Sequence, residues 1–395
     1  MAVADVGQSS AKVNWLYDAR VRAIFYQILT IILFVAFVFW LGSNTAQNLE
    51  DRGIATGFSF LSQPAGFGVP FSLIEYSETS PYWDAFVLSV LNTLFISFIG
   101  IVLATIIGFI FGVMRLSSNW IISKFAAIYL ETARNIPLLL QILFWYFGVL
   151  TALPQLRQSI NIGDSIFLNN RGLYTPSPIY GPGFEFVVIA FLIAVIGVIM
   201  IKRWATKRQE ATGEQFPVFW TALGLIVGLP LLAFAVTGFP LTWDYPELKG
   251  FNFRGGAVLI PEFMALLAAL TLYTAAFIGE IVRAGIMAVS HGQTEAAYAL
   301  GVRPGTTMRL VIIPQALRVI VPPLTSQYLN LTKNSSLAAA IGYPELVAVW
   351  SGTVLNQTGQ AIECILMTML VYLTISLSIS VFMNWYNKRI ALVER

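Results

Sequence analysis

Few side chains in this 395-residue sequence are equipped to make or break bonds. It holds one histidine, His291, and one cysteine, Cys364. A zinc site needs three or four His, Cys or carboxylate ligands, and a Ser-His-Asp device needs a placed imidazole, so both lack material. A single cysteine permits no intrachain disulfide and leaves the redox compartment unread. No G-x-x-x-x-G-K-[ST] stretch occurs, so the chain has no P-loop of its own. What remains is charge and amide chemistry inside apolar runs. Glu131 and Arg134 stand at i, i+3, and so do Glu280 and Arg283, a spacing at which helical side chains meet. Asn330, Lys333 and Asn334 fall at i, i+3, i+4, with Ser335 and Ser336 following. Such groups are costly in hydrocarbon and are functional candidates by default. Their chemistry is reversible: gating by ion pairs, and hydrogen bonding to a passing solute. The plain alternatives are structural ion pairs near the membrane surface and a lysine that snorkels to water or pairs with an acidic neighbour.

The elements that carry these residues follow from composition. The chain is 57% hydrophobic and 11% charged, against roughly 25% charged in soluble proteins. The deficit lies in uninterrupted apolar segments of bilayer-crossing length. A β-barrel would instead show short alternating segments. The expected fold is all-α: a polytopic helical membrane protein of about eight spans. These are Ala23–Leu41, Ala85–Met114, Ala126–Leu150, Phe184–Ile201, Pro217–Val236, Glu262–Ala288, Val319–Tyr343 and Ala361–Tyr386. Val319–Tyr343 is the least apolar. It contains Pro322 and Pro323, which remove helix hydrogen bonds and would tolerate a partly unwound segment beside an aqueous path.

Sixteen Lys and Arg residues, from Lys12 to Arg395, fall in segments on the side of the N-terminus. Five fall opposite: Arg52, Arg157, Arg171, Lys249 and Arg254. The positive-inside rule then makes both termini cytoplasmic. The outer loops Gly42–Asp84, Thr151–Gly183 and Thr237–Pro261 are longer than ordinary connections, so they either fold on the outer face or touch a partner there; passive surface loops are the alternative. Gly108 and Gly112 have the GxxxG spacing of close helix packing, and Cys364 reads as core packing. Lys202, Arg203, Lys207 and Arg208 read chiefly as an orientation signal, with anionic-lipid contact as a lesser option.

Between spans six and seven the apolar pattern gives way to EAAYALGVRPGTTMRLVIIP, Glu295–Pro314. Good helix formers run from Gln293 to Leu300, Gly301 suits a left-handed cap, and Thr306 is a plausible N-cap for a second helix. Ala296, Ala297 and Leu300 share a face small enough for close approach. Glu295 puts a charged anchor near the positive end of that helix. A short helix lying under a membrane domain suits a groove on a soluble partner; an ordinary helical hairpin is the alternative.

Glu295-Ala296-Ala297, three residues, Gly301, nine residues, then Val311-Ile312-Ile313-Pro314 resembles the EAA loop of permease subunits in binding-protein-dependent ABC importers. Tyr129-x-Glu131-x-x-Arg134-x-x-Pro137-Leu138-Leu139-x-Gln141, His291-Gly292-Gln293-x-Glu295, Asn92-Thr93-Leu94 and Lys333-Asn334-Ser335-Ser336-Leu337 are similar to the polar-amino-acid branch. The resemblance covers roughly residues 85–150 and 262–390. It implies that the loop at about 290–318 is a coupling helix seated in an ATPase subunit, through Gln293, Glu295, Ala296, Ala297, Leu300, Gly301 and Pro314. It implies the partners as well: a homologous second permease, a dimer of ATP-binding subunits holding ATP and Mg, a periplasmic amino-acid-binding protein and membrane lipids. The chain itself would be non-catalytic, in a bacterial inner membrane, with no nucleic-acid partner.

An amino acid carries an ammonium and a carboxylate at once. Lys333 can serve the carboxylate, and Asn330 and Asn334 either end. Thr271, Thr274 and Gln141 could line the same cavity, or serve only as helix contacts. Glu131, Arg134, Glu280 and Arg283 are gate candidates beside the coupling helix. The branch's aspartate after the lysine is Asn334 here, so recognition of a basic substrate side chain does not carry over. Permeases of the branch usually have five spans. The expected divisions are 1–84, a first core part 85–150, an insert 151–261 with an extra hairpin, and a second core part 262–390. The insert resembles the larger permeases of general L-amino acid importers of Gram-negative bacteria. Two other readings stay open on the residues alone: an ion-coupled secondary transporter, disfavoured by its few membrane carboxylates, and a membrane-embedded enzyme, which lacks a convergent catalytic set.

Overall fold

The computed structural model describes residues 19–51, 53 and 56–390. Lys12, Arg52 and Arg395, counted above for orientation, lie outside the described residues, as does the side chain of Arg20. Among the described residues seven helices are long and apolar enough to cross a membrane, or eight spans if one sharply bent pair counts as a span. They are α1 (Ala19–Asp51), α2 (Tyr82–Met114), the pair α3 (Trp120–Asn135) and α4 (Leu138–Leu143), α5 (Phe184–Thr212), α6 (Val218–Val236), α7 (Pro261–Met287), α10 (Ile313–Asn334) and α12 (Ala361–Ile390). Between them lie the short helices α8 (His291–Ala299), α9 (Pro304–Thr307) and α11 (Leu355–Thr358). The first span is longer than its hydropathy, continuing past Leu41 to Asp51, and every described side chain on α1 is exposed.

The expected single span Ala126–Leu150 is broken. α3 ends at Asn135, and the chain turns by 107° before continuing through α4 and the wider turns of Phe144–Leu150. Pro137 supplies the cause: it disfavours helical backbone at the residue before it, and Ile136 is extended (φ −95°, ψ 127°). The break strands carbonyls, and Gln141 satisfies two of them. Its Nε2 donates to the Ala133 carbonyl at 2.8 Å and to the Ile136 carbonyl at 2.9 Å.

α7 is the most enclosed span. Glycines let its neighbours come close. A Cβ on Gly112 of α2 would stand 2.6 Å from the Gly279 carbonyl oxygen, and one on Gly285 would stand 2.3 Å from Ile320 Cγ1 of α10. Leu266, Leu270, Ile278, Ile320 and Leu331 fill the core that results.

α10 corrects the expectation of unwinding at the prolines. The helix runs unbroken through Pro322 and Pro323. Both are exposed, so their rings stand off the packed side of the helix. Irregularity lies instead at the two ends: wide turns at Met308–Ile312 before it, and a 3-10 stretch, Ser335–Ile341, after it. The chain then turns at Gly342 (φ +79°) into the wide-turned segment Val347–Val354. The first loop covers this end: Phe60 and Ala65 pack with Tyr82, Leu346, Trp350 and Cys364.

The two later loops meet in small antiparallel sheets. β1 (Ile160–Ile162), β2 (Ile166–Asn169) and β3 (Gly172–Thr175) pair in that order with β8 (Ala257–Leu259). β4 (Ser177–Tyr180) pairs with β5 (Leu241–Asp244), and β6 (Glu247–Lys249) with β7 (Asn252–Arg254). Leu156, Tyr174 and Phe253 form their core. The membrane part is all-α; the strands are confined to these loops.

Candidate functional site

The Glu295–Pro314 stretch folds as helix, left-handed stop and helix. α8 ends at Ala299 with Leu300 as its C-cap, and Gly301 takes φ +72°, a conformation that costs an L side chain on the order of 1–2 kcal/mol. Two hydrogen bonds define the stop. Val302 N donates to the Ala297 carbonyl at 3.0 Å and Gly301 N to the Tyr298 carbonyl at 2.9 Å. This is the Schellman pattern, which satisfies carbonyls the helix end would leave open.

The expected shared face of Ala296, Ala297 and Leu300 is divided. Ala297 is buried and anchors α8 inward, while Ala296 is open and Leu300 is 83% exposed. Among the described residues no side chain covers Leu300, an apolar group held outward at the helix stop. Glu295 is also outward and contacts His291 Nδ1 at 3.0 Å. Thr306 caps nothing: the second helix starts at Pro304, and Arg303 is the residue before it. The loop is tied to α10 by Gln315 Nε2, which donates to Gln293 Oε1 at 3.2 Å. Pro314 follows directly on the wide turns Met308–Ile312, where a residue without an N–H interrupts the regular α-helical ladder.

Of the two local ion pairs the spacing predicts, only Glu280–Arg283 forms. Glu131 faces Arg115 at 3.7 Å rather than Arg134. Arg134 reaches across to Glu280 at 4.0 Å and lies over the Phe277 ring. Glu280 and Arg283 do pair, through Nη2 at 2.5 Å and Nε at 3.0 Å. α3 and α7 are thus joined by one carboxylate between two guanidinium groups.

Of the candidates for a solute path, Asn330 and Lys333 share one open side of α10 with Ser326, and Asn334 is half-buried at its edge. Thr271 and Thr274 do not join them; both are buried in the core on α7. Gln141 is likewise buried and committed to the break at Ile136. In an apolar run an amide reads as path lining, and only the fold reveals the stranded carbonyls that use it.

Sequence reasoning missed the polar clasp beyond the end of α10. Asn92 Nδ2 donates to the Pro344 carbonyl at 2.8 Å, and the Leu346 N–H donates to Thr93 Oγ1 at 3.0 Å. Glu345, fully buried, accepts from the N–H groups of Val347 at 2.9 Å and Ala348 at 2.7 Å, and from the Tyr372 hydroxyl. Burial pushes its carboxyl up to about 7, opposed by those three donors. The available signal was a carboxylate inside the apolar stretch that follows Ser336. Among the described residues no group of three or more His, Cys, Asp or Glu is placed to hold a metal ion.

The membrane bundle is built around one central span, α7, with an anchored helix-stop-helix loop at one end. Residues 186–392 match the family described as "Binding-protein-dependent transport system inner membrane component", and the chain belongs to that family. It is the transmembrane permease subunit of an ABC-type importer. It is 56% identical over 380 residues to the general L-amino acid transport system permease protein AapQ of Rhizobium johnstonii, covering 96% of this chain and 95% of that one. The putative amino-acid ABC transporter permease protein YhdX of Escherichia coli is 55% identical over 378 residues, 96% of each chain. The glutamate/glutamine/aspartate/asparagine transport system permease protein BztB of Rhodobacter capsulatus is 46% identical over 411 aligned positions, again 96% of each.

Proposed function

We propose that this permease imports L-amino acids, forming half of the translocation path with a homologous second permease. It takes substrate from a periplasmic binding protein and is driven by a pair of ATP-binding subunits that hold ATP and Mg. It lies in a bacterial inner membrane with both termini cytoplasmic, which places α8 on the ATPase side. The observation that carries this reading is the loop from His291 to Val302, with Ala297 anchored inward, Gly301 in the left-handed stop and Leu300 held outward. Leu300 and Glu295 are the groups a cytoplasmic ATPase groove would take.

Nucleotide binding moves the ATPase pair and with it α8; Gln315 and the continuous helix beyond it carry that displacement to Asn330 and Lys333. Lys333 serves the substrate carboxylate, and Asn330 and Asn334 serve either pole. The Arg134–Glu280–Arg283 group links α3 and α7 as an inner gate. ATP and the loaded binding protein favour different states of the pair, and that difference drives the cycle.

Reconstitution with the partner subunits tests this. Uptake of L-amino acids into proteoliposomes is expected only with ATP and binding protein present. Uptake by the chain alone down an ion gradient would favour a secondary transporter and contradict the proposal.

A further inference from the structure

The extra hairpin meets the permease core at a second, unassigned feature. α5 packs principally on α6, and the apolar faces of both are largely open. Toward the end of α5, Lys202, Arg203 and Lys207 line a recess of about 850 Å³ together with Arg389, which comes from the far end of α12. One carboxylate, Glu210, borders the same recess. Arg208 is engaged elsewhere, in an ion pair with Glu214 and over the Trp204 ring. Among the described residues Lys202, Arg203, Lys207 and Arg389 enter no ion pair. Four cations against one carboxylate, drawn from two helices, form a site for an anion.

What adjoins the recess decides which anion. The Arg389 guanidinium lies over the Trp385 ring, 4.5 Å from its centroid. From Trp385 an open, mostly apolar groove of about 750 Å³, lined by α12 alone, continues past Phe382 and Val381 to Leu377, with Ser378 and Thr374 beside it. Leu377 to Arg389 is twelve residues, about 18 Å of helix at 1.5 Å each, close to one leaflet of a hydrocarbon core about 30 Å thick. A cationic recess at the end of an apolar groove of leaflet length fits a molecule with a phosphate head and an acyl tail.

We propose that Lys202, Arg203, Lys207 and Arg389 bind the headgroup of an anionic phospholipid whose acyl chain lies along Leu377–Trp385, so that lipid joins the hairpin to the core. Basic recesses between membrane helices are apt for such headgroups. A zwitterionic lipid offers the same phosphate but brings its own ammonium, and four unpaired cations disfavour it. The site does not depend on which face of the membrane is cytoplasmic, nor on the transported substrate.

The test uses the assembled transporter in phosphatidylcholine nanodiscs, titrated with palmitoyl-oleoyl phosphatidylglycerol, with bound lipid counted by native mass spectrometry. Wild type should retain phosphatidylglycerol selectively. The double variant Arg203→Gln/Arg389→Gln takes one cation from each helix and leaves Lys202, Lys207 and Arg208 to hold orientation. It should weaken retention by about 25-fold, at roughly a fivefold loss per cation removed. Lys202→Arg/Lys207→Arg keeps the charge and should bind as wild type does. Val381→Trp blocks the groove with the cations intact and should also lose the lipid. Undiminished retention in Arg203→Gln/Arg389→Gln or in Val381→Trp would overturn the proposal. So would displacement of the lipid by millimolar inorganic phosphate, which has no acyl chain.

Discussion

Gln315, in the first turn of α10, donates to Gln293 of α8 at 3.2 Å, so the short helix and the long membrane helix are hydrogen-bonded to one another. The bond is exposed and worth at most about 1 kcal/mol. Its meaning is geometric: together with the buried Ala297 it sets α8 beside the start of α10. From Gln315 to Lys333 is eighteen residues, about 27 Å of helix, which spans most of a bilayer core.

Gly301→Asp should leave membrane insertion intact and uncouple ATP hydrolysis from uptake. Gly301 has open space around its Cβ position, so the cost is not a clash. It is the left-handed backbone, together with a charge placed beside Leu300. Parallel measurement of ATPase activity and uptake checks this; normal uptake would remove the stop from the coupling role.

Lys333→Met keeps an unbranched side chain, one atom shorter, and removes its charge. Uptake should fall at least tenfold while complex assembly, read by co-purification of the subunits, is preserved. Transport kinetics equal to wild type would take Lys333 out of the path.

Most of the membrane layout was legible because bilayer-length apolar runs admit few other folds. Direction was not. Hydropathy sums over a window and is blind to a 107° turn, so α3 and α4 read as one span although Pro137 marks the break. Pro322 and Pro323 misled in the opposite sense, because the helix continues through them. The loop Glu295–Pro314 was legible as helix, glycine and helix, since a left-handed stop has few sequence solutions; which alanine faces inward was not, because that depends on tertiary packing. Gln141, Thr271 and Thr274 were ambiguous for one reason: a polar group in an apolar span serves a path, a stranded carbonyl or a helix contact, and composition does not separate these.

Gly285→Ala tests the close approach of α7 and α10. The added Cβ would meet Ile320 Cγ1 at 2.3 Å, with the Ala316 carbonyl oxygen 3.4 Å away. Overpacking of this kind costs about 1–3 kcal/mol. The variant should lose thermal stability in detergent, and Ile320→Val in the same chain should restore part of it. Wild-type stability in Gly285→Ala would show that the helices separate freely.

Glu345 sets a pH window. Its carboxyl is raised from an ordinary value of 4.5 to about 7, so the folded chain binds more protons than the unfolded chain between those values. Stability from this group is therefore full below about 4.5 and is lost as pH rises through about 7. Thermal unfolding from pH 4.5 to 8 should show a falling midpoint in wild type and a flatter profile in Glu345→Gln. Identical slopes would mean that Glu345 titrates normally.

The most direct test of the account asks what Leu300 touches. With Leu300→Cys in the assembled transporter, a short bifunctional reagent should join this position to the ATP-binding subunit, with a yield that changes when ATP is bound. A transporter that pumps normally, yet gives no cross-link from position 300 to that subunit in any nucleotide state, would contradict the claim that α8 is where the motor takes hold.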